Sequence, residues 1–353
     1  PKHMEREETA IDTLLSEQRH IAILQYNDVR KNREVLKRLI DITVLLSRQE
    51  LAFHGHDESA ESISQGNYRQ LFNYFFHHDD GLRAHWQKNL NVFSGQSKTI
   101  QNELIFCIAE EMSLYTNNEI NDCRFFACEV DETTDVSQLS QLSVVLWYMD
   151  GNGKTQERFM GFKDVSVDRM VISLKQVIDS VITKYKYKTK LVSQSHDGAS
   201  VMAGDLGGLQ ALINNIAMQL SVQFADMKVL RFLELADSSR FQAVPTEAFT
   251  SLANTYGKYF DLDHLNEFIV ISMTASFGNA VYEIICITVE IELRDMLRKV
   301  YCFFCLVATI PLTTVSVERS FPCLKRIKTY LRSSMDQGHL RALATISTEK
   351  ELL

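Results

Sequence analysis

Phe125-Phe126-Ala127-Cys128-Glu129-Val130-Asp131 is a short apolar run that ends on a carboxylate. Its length and apolar density predict a buried strand. Outward from it, residues 139–149 are rich in β-branched and aromatic side chains, and Asp150-Gly151-Asn152-Gly153 supplies a turn. Residues 157–165 (ERFMGFKDV) read as the return strand. An amphipathic helix over 171–184 follows, then a strand over 190–195 that runs into His196-Asp197-Gly198. This order predicts an antiparallel meander and a right-handed crossover that lays the fourth strand parallel beside the first. Asp131 and Asp197 would then project from neighbouring strand ends into one crevice.

The flanks are helical in pattern. Residues 1–120 predict an N-terminal helical region, with the stripe Ile21, Leu24, Val35, Leu39, Ile42, Leu46 in its long amphipathic part. Gly66-Asn67 breaks the pattern, an aromatic stripe over 68–76 resumes it, and 99–115 predicts a helix capped by Thr99. Beyond Asp197 a Gly-rich turn leads into a weakly patterned stretch, with short helical pieces at 231–241, 248–260 and 262–273. Residues 283–297 fit a helix, or a strand followed by a helix. At the C-terminal end Pro311 stops one segment, 317–331 predicts a continuous helix, and 339–349 a closing helix. The organisation expected is 1–120 helical, 121–216 the first part of an α/β domain, 217–299 the remnant of a helical insertion, and 300–353 a C-terminal helical region.

Composition narrows the class. The 353 residues are 45% hydrophobic and 23% charged with 4 Pro and 14 Gly, which excludes wholesale disorder and repetitive architectures. The net charge of −8 gives no global pull toward nucleic acid, so any such contact must be local. No apolar run approaches a membrane span and the start lacks a signal-peptide core, so no membrane partner is expected. A chain opening on Pro1 rather than Met fits a fragment or an incomplete gene product. The 7 cysteines read as reduced thiols. Cys302 and Cys305 form a CxxC among aromatic neighbours, without the second pair a zinc ribbon needs, and read as buried small side chains. His54, His56, Asp57 and His77, His78, Asp79 read as solvated loop and helix-end residues.

Seven stretches, in order, carry a resemblance: Gly66-Asn67-Tyr68, QNELI at 101–105, DETTD at 131–135, ERFMGF at 157–162, HDGASVMAG at 196–204, GGLQALI at 207–213 and VERSFPCLKRIKTYLRSSM at 317–335. Together they make the chain resemble the hAT transposase family, especially its domesticated zinc finger MYM-type-like and general transcription factor II-I repeat-like relatives. The resemblance implies an α/β (α+β) fold with an RNase H-like mixed sheet. It also implies a C-terminal dimerisation region through which residues 300–350 would pair with a second copy or a related hAT-derived protein. A nuclear location follows from the same likeness.

By that resemblance Asp131, Asp197 and Glu318 stand where the family has its three metal-binding acids. In an active enzyme they would hold two Mg²⁺ about 3.5–4 Å apart, one activating the nucleophile and one stabilising the leaving oxygen. Read as residues alone, Asp131 and Asp197 are strand-end turn residues and Glu318 a first-turn helix carboxylate. Lys325, Arg326, Lys328 and Arg332 form a basic stretch in which Lys325, Lys328 and Arg332 would share a face, for DNA or simply for solvent. The family's DNA-binding zinc finger has no counterpart here.

Departures from the family point away from catalysis. The interval between Asp197 and Glu318 is short and lacks the Cys/His-bearing strand, leaving an incomplete sheet. Val201 replaces the usual Asn, Pro322 a helix-friendly Ser, and Gly338 a basic residue. Loss of the groups that hold metal ligands to fractions of an ångström abolishes turnover while sparing the acids. The expectation is a transposase-derived protein without catalysis and without need of a cofactor, acting through dimerisation and nucleic-acid association. The alternatives are an Mg²⁺-dependent DDE-type transposase or nuclease using all three acids, and a non-functional product with an incomplete sheet.

Overall fold

The computed structural model describes residues 2–59, 61–89, 95–168, 171–196, 229–236, 246–260, 298–311, 315–329, 332 and 334–353. The chain divides into two compact units, Pro1–Ile108 and Ala109–Leu352, with Leu353 grouped with the first.

In the first unit α1 (Lys2–Arg48) buries Val35, Leu39, Ile42 and Leu46, the last four residues of the predicted stripe. Ile21 and Leu24, its first two residues, are exposed. Against α1 pack α2 (Asn67–His77) and α3 (Asp80–Asn89). Tyr68, Phe72 and Phe76 repeat at helical spacing and are buried, with Trp86 edge-on to Phe72 at 5.1 Å. Gly66, at φ +97°, takes a conformation that a side chain would strain, and its backbone crosses that of Gly55 too closely for a Cβ. The fourth helix, α4 (Lys98–Asp122), starts one residue earlier than expected. Ser97, not Thr99, caps it, its Oγ accepting from the Ile100 N–H at 3.2 Å.

The second unit is built on a sheet of β1 (Phe126–Thr134), β2 (Ser140–Met149), β3 (Thr155–Asp164) and β4 (Leu191–His196) in the order β3-β2-β1-β4. The meander pairs antiparallel and β4 lies parallel to β1, as the sequence predicts. The 150–153 turn closes on Asp150, whose Oδ1 accepts the Asn152 and Lys154 N–H groups, with Gly153 at φ +81°. The crossover is α5 (Val171–Ile182), a 3-10 turn over Thr183–Tyr185 and the short α6 (Tyr187–Lys190).

Strand alternation divides the sheet into two faces. Phe126, Cys128, Val130, Leu142, Val144, Leu146 and Tyr148 pack against Ile120 of α4 and Leu174, Ile178 and Tyr185 of the crossover. Ala127, Glu129, Asp131, Ser143, Val145 and Trp147 lie on the other face by the same alternation. Beside the sheet a second cluster joins Phe125, Met149 and Val192 to a 3-10 segment (Val229–Ala236), α7 (Thr246–Tyr256) and α8 (Arg298–Thr309). Trp147 donates its indole N–H to the Ala308 carbonyl at 2.9 Å. Cys302 and Cys305 are buried in this cluster, and burial pushes the Cys302 thiol up.

The C-terminal motif departs from expectation. Instead of one helix over 317–331 it forms α9 (Val315–Glu318) and α10 (Ser320–Ile327). Pro322 has no N–H to give the Glu318 carbonyl, so the i→i−4 ladder is interrupted at that point. The last helix, α11 (Gln337–Thr348), is capped by Asp336, whose carboxylate accepts from the His339 N–H at 2.9 Å. It runs along the outer strand β3. Gln337 donates to the Phe162 carbonyl at 3.1 Å and Glu349 accepts the Phe159 N–H at 2.6 Å, so the sheet edge is occupied from within the chain. The predicted 262–273 and 283–297 elements lie outside the described residues. Among the described residues the sheet has four strands, which fits an incomplete RNase H-like fold.

Candidate functional site

Asp131 is not at a strand end. It stands inside β1, which continues to Thr134, and it is 6% exposed. Its Oδ1 accepts the Glu132 N–H at 2.8 Å. Pairing with β4 runs as far as Val130 opposite His196. Asp197 follows directly but lies outside the described residues, as does Val201.

Glu318 is exposed at the end of α9. It is not the first-turn carboxylate of a long helix, because the Pro322 break ends α9 on it. Its segment is nevertheless seated on the Asp131 face, since α9 packs on β1 and β2. Ser143, the cross-strand partner of Asp131, places its Oγ 2.8 Å from Ser320 Oγ, two residues beyond Glu318. Two of the three acid-bearing segments therefore meet on one face. Among the described residues no group of three His, Cys, Asp or Glu side chains is arranged to hold a metal ion. Asp131 and Glu318 alone do not make a two-metal site.

Two residues the sequence reading passed over dominate the local electrostatics. Glu129 lies two positions before Asp131 on the same face, 0% exposed, and among the described residues neither carboxylate oxygen has a well-formed hydrogen bond, the Val317 N–H approaching it only loosely. Burial pushes its carboxyl up to about 7, and the Glu157 charge adds to the shift. The Arg319 charge and the nearby Val317 N–H offset it only in part. Asp135, the last residue of DETTD, has the opposite fate. It accepts the Ser137 N–H at 2.7 Å, the Leu139 N–H at 3.1 Å, Gln141 Nε2 at 3.3 Å and Lys328 Nζ at 2.6 Å. A carboxylate with a serine two residues on, Asp135 and Ser137, signals such a turn acid; nothing local signals its lysine partner.

That ion pair corrects the basic stretch. Lys328 is 2% exposed and lies past the end of α10, so it shares no solvent face with Lys325. Lys325 and Arg326 are exposed, while Arg332 is half-buried and held below its ordinary range by burial. A second polar knot fixes the far side of β3. Arg158 holds Glu119 through Nε at 2.9 Å and Glu349 through Nη1 at 3.5 Å, and Tyr148 donates to Glu119 at 2.7 Å. Glu349 is pushed up to about 7, mainly by burial, against the Phe159 N–H and the Arg158 charge.

Residues 2–208 match the family described as ZMYM1/FAM200, RNase-like domain, and residues 296–352 match the hAT family C-terminal dimerisation region. The "52 kDa repressor of the inhibitor of the protein kinase" of Homo sapiens is 26% identical over 156 residues, 41% of this chain and 20% of that protein. The Mus musculus protein of the same name is also 26% identical over 156 residues, with the same coverage. The chain thus spans about a fifth of the length of the curated relatives it matches. With the β3-β2-β1-β4 sheet and the α9–α11 region in place, the chain belongs to the ZMYM1/FAM200 RNase-like domain family and carries a hAT C-terminal dimerisation region.

Proposed function

We propose that this hAT-derived protein acts by self-association through its C-terminal region, in a nuclear setting with nucleic acid nearby, and does not catalyse strand chemistry. The match of residues 296–352 to a dimerisation region carries the reading. The apolar side chains of residues 300–306 and of α11 do not add to it, because they are buried within the chain itself. The partner surface is therefore formed by what α8–α11 leave exposed. The nuclear setting rests on relatives whose printed name is that of a repressor. Light scattering across a concentration series tests the proposal, with a dimer mass expected at tens of micromolar and a strict monomer contradicting it.

The second reading is an Mg²⁺-dependent nuclease or transposase using Asp131, Asp197 and Glu318, favoured by the seating of the Glu318 segment against the Asp131 face. Mg²⁺ would be held by those carboxylates and would supply charge stabilisation at a phosphoryl group. Calorimetric titration of Mg²⁺ into the protein and its Asp131→Asn variant separates the readings: identical traces dismiss the enzyme, and heat lost in the variant supports it.

A further inference from the structure

Several described cations of the second unit sit against carboxylates, among them Lys175 against Asp179, Arg158 against Glu119 and Glu349, Arg319 against Glu157, and Lys328 against Asp135. One cluster of cations has a different setting. The segment 183–190 reads TKYKYKTK, and Lys184, Lys186 and Lys188 are exposed on it. Lys258, Lys163 and Arg341 flank them. None of these six has a carboxylate partner among the described residues. In a chain of net charge −8 such a concentration of unmatched positive charge is local and specific.

The segment is also built. Tyr185 is buried against Phe126, and its hydroxyl donates to Asn117 Oδ1. The same amide oxygen accepts Lys184 Nζ at 2.9 Å, and that ammonium lies 4.8 Å over the Tyr185 ring. Lys186 turns the chain at φ +54°, and its carbonyl takes the Thr189 N–H at 3.0 Å. Lys258 reaches the Lys188 carbonyl at 3.0 Å, and the Tyr259 hydroxyl donates to the Thr189 carbonyl. Arg341 lays its stem on Gly161, two residues before Lys163. Lys163 and Lys184 are both held below the usual lysine range, by burial first and then by neighbouring cations, Arg341 among them for each.

We propose that Lys184, Lys186 and Lys188, supported by Lys258, Lys163 and Arg341, form a docking surface for the phosphodiester backbone of nucleic acid, centred on the crossover that packs against the sheet face opposite Asp131. The chemistry favours phosphate over other polyanions. A protein interface wants an apolar core and disfavours lysine, yet none of the large exposed apolar residues falls within 173–190 or 246–260. Surface attachment to a membrane wants apolar insertion beside the charges, and the loop's Tyr185 is buried. Ammonium groups carried on a fixed backbone suit contacts that position a duplex without reading its bases. The proposal does not depend on self-association, and it differs in place from the exposed pair Lys325 and Arg326.

Fluorescence anisotropy with a labelled mixed-sequence duplex, titrated with the full chain across a salt series, tests it. The Lys184→Gln, Lys186→Gln, Lys188→Gln triple variant should bind at least about tenfold more weakly at low salt, and its log K against log salt slope should be shallower by roughly 2–3. The corresponding Lys→Arg triple variant should bind as the parent does, with matching thermal melts showing that all three proteins fold. Unchanged affinity in the Gln variant overturns the proposal, as does loss in the folded Arg variant. So does loss of binding confined to Lys325→Gln with Arg326→Gln. Absence of duplex binding at low salt overturns it too, with or without binding to phosphatidylserine–phosphatidylcholine vesicles.

Discussion

Glu129 and Asp135 stand six positions apart on and just beyond β1, and both are buried acids. Asp135 has two backbone donors, an amide and an ammonium around it, whereas among the described residues Glu129 has only a loosely placed Val317 N–H near it. A buried charge that is fully satisfied holds a fold together, and one left without partners strains it. The Asp135 pair ties the end of β1 to the C-terminal segment, preserving the frame of the sheet and the region that matches a dimerisation domain. Glu129 adds a costly carboxylate beside Asp131 that nothing in the described structure uses.

The largest expected effect breaks the satisfied side of this contrast. Lys328→Met should destabilise the second unit by about 3 kcal/mol or more, because it leaves Asp135 as an uncompensated buried charge. Chemical denaturation reads this as a lower midpoint, and a change below about 0.5 kcal/mol would show that the pair is not closed in solution.

A second test uses pH. Glu349 in the folded state keeps its proton up to about 7, while the unfolded chain releases it near the ordinary value of 4.5. The native state therefore binds the extra proton between those values, and stability should fall as pH rises from 4.5 through 7. The loss is about 3 kcal/mol by linkage, and Glu349→Gln should make the slope shallower, leaving the share that Glu129 contributes. A slope unchanged in that variant assigns the dependence elsewhere.

The unsatisfied side predicts a gain. Glu129→Leu removes two orphan oxygens from a fully buried position and should raise stability by about 1–2 kcal/mol in thermal melts at neutral pH. A clear loss would mean that the carboxylate has a partner in solution. The smallest effect concerns the seating of the Glu318 segment. Ser143→Ala should cost about 1 kcal/mol, by leaving the buried Ser320 hydroxyl with only the Val317 carbonyl. Double-mutant coupling with Ser320→Ala near zero would remove that anchor from the account.

Much of the fold was legible because its signals are local. The alternation through 125–165, the Asp150 turn and the crossover helix each follow from a few neighbouring residues, and together they give the strand order. The split of the 317–331 helix was half-visible: Pro322 stood out, but its missing bond to the Glu318 carbonyl becomes decisive only once the register of the helix is known. What stayed hidden was long-range. Lys328 reads as one more surface base, and only a partner 193 residues away turns it into a buried clamp. Glu129 likewise reads as one polar residue in an apolar run, since its cost comes from burial and from the Glu157 charge, which only the fold brings near. The candidate acids were legible as positions; Asp131 and the Glu318 segment share a face, while Asp197 lies outside the described residues.

Sedimentation equilibrium of the full chain, with and without Mg²⁺, beside the Asp131→Asn, Glu318→Gln double variant, tests most directly the claim that association has outlived chemistry. The account predicts dimers of equal affinity in every condition. A monomer throughout, or a dimer that forms only with Mg²⁺ and both acids, would contradict it.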